Sequence, residues 1–107
     1  MDEREFIVKS DASLERVARW LEDFDPDDLD YSTADGSVTL EFSDGTKFIL
    51  SRQSATRQIW LAAGARGYHF SYDSARDTWV DDKDGGELYP RLAEAISQHL
   101  GRDVTFD

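Results

Sequence analysis

Glu22, Asp23, Asp25, Asp27, Asp28 and Asp30 place six carboxylates within nine residues, and no basic residue interrupts them. Carboxylate oxygens are hard donors. The chemistry open to such a run is the binding of hard cations (Mg²⁺, Ca²⁺, Mn²⁺ or ferric iron) or of a basic protein surface. Crowded like charges repel one another, so water, counter-ions or a positive partner must offset them. Glu15 stands further up the same segment. The run lacks the alternating ligands around a central glycine that mark a calcium loop. It therefore points to weak, exposed, multi-site cation binding rather than one cage. A solvated acidic face is the simpler account on charge alone. Position argues the other way: Glu22 and Asp23 are expected in the last turn of a helix, where carboxylates oppose the helix dipole.

A second candidate lies at Gln58-Ile59-Trp60-Leu61-Ala62. If Ile59 and Leu61 face a core, the two-residue period of a strand puts Gln58, Trp60 and Ala62 on the other side. Ile49 and Ser51 of the preceding strand join them there, with Gln53 just beyond. An outward tryptophan flanked by glutamines has the makings of an interface anchor. Ordinary cross-strand packing of a lone exposed aromatic explains it equally well. His69 is expected to face outward on the sheet and His99 to sit near the end of the second helix. Neither belongs to a two-histidine metal motif, and a structural role is the better reading of both. The sequence has no G-x-S-x-G, no glycine-rich phosphate loop and no cysteine. No buried, asymmetric carboxylate pair can be inferred either, so nothing marks an enzyme.

These groups must be carried by a regular scaffold. Leu14, Val17, Ala18, Leu21 and Phe24 recur at helical spacing and predict a helix over 5–24, ended by Asp25-Pro26. Phe6 and Ser13 extend the same face less well, and Lys9, Ser10 and Asp11 weaken its first half. Strands follow at 29–33, 37–42, 46–51, 58–62, 67–72 and 78–80. Val38, Leu40 and Phe42 alternate cleanly with Ser37, Thr39 and Glu41, and Ser43-Asp44-Gly45 is a hairpin turn signal. A second helix over 87–100 carries Leu88, Leu92, Ala95, Ile96 and His99 or Leu100 on its apolar stripe, with Pro90 in its first turn and Gly101 as its stop. The alternating Val104 and Phe106 of the tail 103–107 are expected to close the groove between the helices. The fold class is α+β: a two-layer α/β sandwich, with N- and C-terminal helices packed on one face of a roughly six-stranded antiparallel sheet. The other face is left to solvent or to a partner.

The whole chain fits this picture. Its 107 residues make one domain, 1–107, with thirteen aromatics for a single core. A net charge of −11 argues against nucleic acid and anionic membranes as partners, and favours cations or basic proteins. The absence of cysteine excludes thiolate and disulfide chemistry within the chain. The N-terminal MDEREFIVK has neither a signal-peptide nor a transit-peptide pattern, and no apolar stretch reaches membrane-spanning length. A soluble, cytoplasmic protein is expected.

Several stretches together are specific. Arg52-Gln53, Gln58-Ile59-Trp60-Leu61-Ala62, Gly67-Tyr68-His69-Phe70 and Thr78-Trp79-Val80 closely resemble the frataxin family in its bacterial form, as do the hairpin Val38 to Gly45 and the closing Val104-Thr105-Phe106. The resemblance covers nearly the whole chain and is strongest from Gly36 to Val80. It implies the same sandwich fold and an iron-binding accessory role in iron–sulfur cluster assembly. The implied partners are a cysteine desulfurase and an iron–sulfur scaffold protein, and the implied metal is weakly held, exposed ferrous or ferric iron. By that resemblance Glu15, Glu22, Asp23, Asp25, Asp27, Asp28 and Asp30 would bind iron. Glu22, Asp23 and Asp25 would also dock on the desulfurase, and Gln53, Gln58 and Trp60 would form the exposed sheet contact. The metal-free protein would be a monomer. The chain departs from the family where Ser51 replaces the usual asparagine and Ala55 a frequent proline. Lys9 and Ser13 make its first helix less apolar, and Arg16 and Arg19 interrupt the carboxylates there. Rival readings are a ferroxidase or iron store, which would need a defined, partly buried site, and an acidic adaptor with no specific metal role.

Overall fold

The computed structural model describes residues 1–106. In chain order it contains α1 (Glu3–Leu21), β1 (Leu29–Ala34), β2 (Ser37–Phe42), β3 (Lys47–Gln53), β4 (Gln58–Ala63), β5 (Arg66–Asp73), β6 (Thr78–Asp81) and α2 (Leu88–Leu100). The strands form one antiparallel six-stranded meander in sequence order. Both helices lie on one face of it, as the alternation of the strands requires. Val38, Leu40 and Phe42 of β2, Phe48 and Leu50 of β3, Ile59 and Leu61 of β4, Phe70 of β5 and Trp79 of β6 all turn inward. They share one core with Phe6, Leu14, Val17 and Leu21 of α1 and Leu88, Leu92, Ala93 and Ile96 of α2.

The first helix is displaced toward the N-terminus from its expected span. It starts at Glu3 because the Asp2 carboxylate caps it, accepting from the Glu5 amide at 2.8 Å. It ends at Leu21, well before Asp25-Pro26. The Glu22, Asp23 and Phe24 amides bond the carbonyls three residues back, at 3.2, 3.3 and 3.1 Å, so the last turn tightens and stops. Glu22 is thus the C-cap and Asp23 lies beyond the helix, where the last helical turn had been expected to hold both. Phe24 leaves the helical stripe but still packs edge-on against Trp20, ring centroids 4.9 Å apart.

The polar residues of the first half of α1 are accommodated rather than disruptive. Ser10, fully buried, donates to the Ile7 carbonyl at 3.1 Å. Asp11 pairs with Arg52, whose guanidinium also reaches Asp35 at 3.3 Å and so ties α1 to the β1–β2 turn. Ser13 accepts from Trp79 Nε1 at 2.8 Å and from the Tyr89 hydroxyl at 3.0 Å.

Strand ends also move by a residue or two. β3 runs from Lys47 to Gln53 because Thr46 belongs to the turn: its amide donates to Asp44 Oδ1 at 2.9 Å, and Gly45 takes the positive φ of 88° that the turn needs. β1, β4, β5 and β6 each extend beyond the expected span, to Ala34, Ala63, Asp73 and Asp81. Glu87 is the N-cap of α2 and bridges Val80. Gly101, with φ 74°, closes the helix. On α2 the inward alanine is Ala93, while Ala95 is half-buried.

The tail closes the groove between the helices. Phe106 packs at 4.6 Å against both Trp20 of α1 and Tyr89 of α2, and the Val104 amide donates to Ser97 Oγ at 2.8 Å. Trp20, which the helical spacing left out of the core, is buried there with its Nε1 donating to the Thr105 carbonyl at 3.1 Å. Asp107 lies outside the described residues.

Candidate functional site: an acidic ridge and an open sheet face

The acidic run forms a ridge that leaves the end of α1, turns, and enters β1. Asp25 organises the turn: its carbonyl accepts from the Asp28 and Leu29 amides at 2.9 and 3.0 Å, and its carboxylate from the Asp27 amide at 2.9 Å. Leu29, buried at the start of β1, pins the turn to the core. Glu22, Asp23, Asp25, Asp27 and Asp30 are exposed. Asp28 is half-exposed and pairs with Arg102 at 3.3 Å. Glu22 to Asp28 thus follow one another along the segment between α1 and β1, whereas Asp30 turns to the helix-free side of the sheet, across from Glu41. Glu15 stands apart, about two turns or ~10 Å up α1, and is paired with Arg19 at 4.0 Å. Among the described residues no three histidine, aspartate or glutamate side chains converge into a coordination set. The ridge presents its oxygens to solvent one or two at a time.

Tyr31 belongs to the ridge and was not read from the sequence. Partial burial raises its pKa above the usual phenol value, and the neighbouring charges of Glu22 and then Asp30 push in the same direction. The phenol thus reports on the Glu22 carboxylate.

The opposite surface of the sheet, bare of helices, carries the second group. Ser51, Trp60 and His69 sit directly across from one another on β3, β4 and β5. Gln53 faces Gln58 and donates to Ser51 Oγ at 3.1 Å. Ile49 is exposed alongside. Trp60 is half-buried, and its indole lies flat on the His69 ring, with centroids 4.2 Å apart and planes 11° from parallel. Gln58, Trp60 and Gln53 all face outward, as their parity requires. Ser71 and Asp82, which touch Gln58, gave no sequence signal, because nothing in their spacing links them to β4.

His99 serves the scaffold. It packs on Phe42 with ring centroids 4.2 Å apart and meets Asp44 at 2.9 Å, fastening α2 to the β2–β3 turn. Asp44 has its pKa lowered by the Thr46 backbone and side-chain hydrogen bonds and by His99.

An α+β sandwich with its candidate chemistry spread over a charged ridge and an open, polar-aromatic sheet face is the class that fold and site define. The chain belongs to the frataxin family: the model of the frataxin-like domain matches residues 1–102. It is 40% identical over 100 residues to the iron–sulfur cluster assembly protein CyaY of Thioalkalivibrio sulfidiphilus, covering 92% of this chain and 94% of that one. It is 38% identical over 108 residues to the CyaY of Ralstonia nicotianae, covering 98% and 94%. Its structure superposes on frataxin from Psychromonas ingrahamii with a TM-score of 0.88 at 33% identity, over 100% and 99% of the two chains. It superposes on a trimeric frataxin from Saccharomyces cerevisiae, complexed with ferrous iron, with a TM-score of 0.75 at 24% identity, over 88% and 87%. That last likeness is one of fold alone. No helix among the described residues is long and apolar enough to cross a membrane.

Proposed function

We propose that this chain is a cytoplasmic, iron-binding accessory protein of iron–sulfur cluster assembly. In this reading it docks on a cysteine desulfurase through the ridge and on the desulfurase's scaffold protein through the open sheet face. The observation that carries the reading is the ridge itself. Among the described residues, five of its six carboxylates from Glu22 to Asp30 make no ion pair within 4.0 Å, and the sixth pairs only with Arg102. A fold that leaves them so, with Glu22 at a helix C-cap where the dipole disfavours it, holds an uncompensated field. Such a field steers a basic protein surface and concentrates cations. The assembly role named for the CyaY relatives, and the ferrous iron bound by the yeast neighbour, support the choice of partner and metal.

Carboxylate oxygens suit ferric iron well and ferrous iron acceptably. Glu22, Asp23, Asp25, Asp27, Asp28 and Asp30 would hold it at the surface, with water completing its shell, and Glu15 would offer a separate weak contact. The protein acts as a regulator and carries out no reaction of its own. Without metal it is a monomer.

Sulfide release by a purified cysteine desulfurase and its scaffold, with and without this protein and with and without ferrous iron, tests the reading. A change in rate that depends on the protein and is altered by iron is expected. A rate indifferent to the protein under both conditions would contradict it.

A further inference from the structure

Four residues of the open face close a ring. Asp82, just past the end of β6, accepts from Ser71 Oγ at 2.8 Å and from Gln58 Nε2. Gln58 Oε1 accepts from Trp60 Nε1 at 2.9 Å. Trp60 stacks on His69, whose carbonyl accepts the Asp82 amide at 3.1 Å. Each link constrains the next. An aspartate carboxylate only accepts and an indole N–H only donates. The Gln58 amide must therefore turn its NH₂ to Asp82 and its oxygen to Trp60. Gln58 Nε2 also donates to Ser71 Oγ at 3.2 Å, so Asp82 holds the amide both directly and through Ser71, and the amide holds the indole edge.

We propose that Asp82 is a positioning residue for Trp60. Through Gln58 it fixes the indole flat against His69, so the aromatic anchor of the open face is already in place when a partner arrives. The inference rests on the proposed role of that face. The partner surface it fits is flat and offers an apolar patch for the exposed side of the indole, with polar groups for Gln53 and Ser51. Pre-ordering matters because a side chain that is immobilised only on binding loses its rotamer freedom at that moment. Without Asp82 that cost is met at association, and affinity should fall roughly fivefold.

Asp82 is exposed, so replacing it leaves the core untouched. In Asp82→Ala the nuclear Overhauser contacts between the Trp60 indole and the His69 ring should weaken, and the indole N–H should exchange faster with solvent. In Asp82→Asn both should persist, because the asparagine oxygen can accept from Gln58 and its NH₂ can donate to Ser71. Binding to the purified desulfurase–scaffold assembly should drop in Asp82→Ala and recover in Asp82→Asn. Unchanged indole contacts in Asp82→Ala would overturn the inference. So would unchanged binding by that variant if Trp60→Ala binds weakly. If Trp60→Ala itself binds as tightly as the native chain, the proposed role of the face falls, and the docking half of the inference with it. The indole contacts, read without a partner, tell the two failures apart.

Discussion

The indole of Trp60 lies parallel to the imidazole of His69, with ring centroids 4.2 Å apart, on the side of the sheet that no helix covers. Inward neighbours Ile59 and Leu61 fill the core on the other side of the same strand. A stacked pair of this kind contributes about 0.5–1.5 kcal/mol beyond its burial. Trp60→Ala should accordingly destabilise the chain far less than the roughly 3–5 kcal/mol of a core tryptophan, for which Trp79→Ala is the internal comparison. Denaturant unfolding of the two variants gives both numbers. Equal losses would mean that Trp60 serves the core.

Ser13 is expected to matter more than its size suggests. It is the shared acceptor for the Trp79 indole and the Tyr89 hydroxyl, and so joins α1, β6 and α2. Ser13→Ala removes one oxygen and leaves a buried donor unsatisfied, at a cost of about 1–3 kcal/mol. A midpoint shift too small to measure would show that water or a rotated ring replaces the hydroxyl.

Tyr31 provides a readout of the ridge. Burial and the Glu22 charge raise its pKa. Glu22→Gln, or a diamagnetic hard cation held at Glu22, should bring the phenol back toward its ordinary value of about 10. The titration is followed through the Tyr31 ring resonances. A midpoint insensitive to Glu22→Gln would separate the phenol from the ridge.

Acid stability should depend on the β2–β3 turn. The folded-state pKa of Asp44 lies below its ordinary value, held down by Thr46 and then by His99. The folded chain therefore binds that proton less readily than the unfolded one. Its contribution is present above the unfolded value of about 3.9 and is lost as pH falls through the lowered folded value. Asp44→Asn should flatten the fall of stability over that acid range and change its slope little near neutrality. An unaltered acid limb would contradict the assignment.

The sheet was legible because its strands alternate: Ile59 and Leu61 alone decide which way Trp60 faces. The exposure of the acidic run was legible because unpaired carboxylates stay in water; the turn of Asp30 to the other side of β1, across from Glu41, was not, because it depends on strand register. The limits of α1 were not, because they depend on the Asp2 cap and on a tightened last turn rather than on Pro26. Ser10 and Ser13 looked like flaws in an apolar stripe. Ser10 is satisfied within its own helix by the Ile7 carbonyl, whereas the partners of Ser13, Trp79 and Tyr89, come together only in the folded chain. Trp20 was missed for the same reason, since its cover is the tail residue Phe106, far away in sequence. The ring through Asp82 depends on the register that sets β5 between β4 and β6. Local spacing carries none of that.

The central claim is that the ridge is a docking surface. The most direct measurement is the affinity of the Glu22→Lys, Asp23→Lys, Asp25→Lys variant for the cysteine desulfurase, across a range of salt, beside that of the native chain. All three side chains are exposed, so the variant should keep the fold. Exposed charge contacts act over about 8 Å at physiological ionic strength. Native binding should therefore weaken steadily as salt rises, and binding by the variant should be lost at every salt concentration. Equal affinity of the two proteins, or native binding indifferent to salt, would contradict the account.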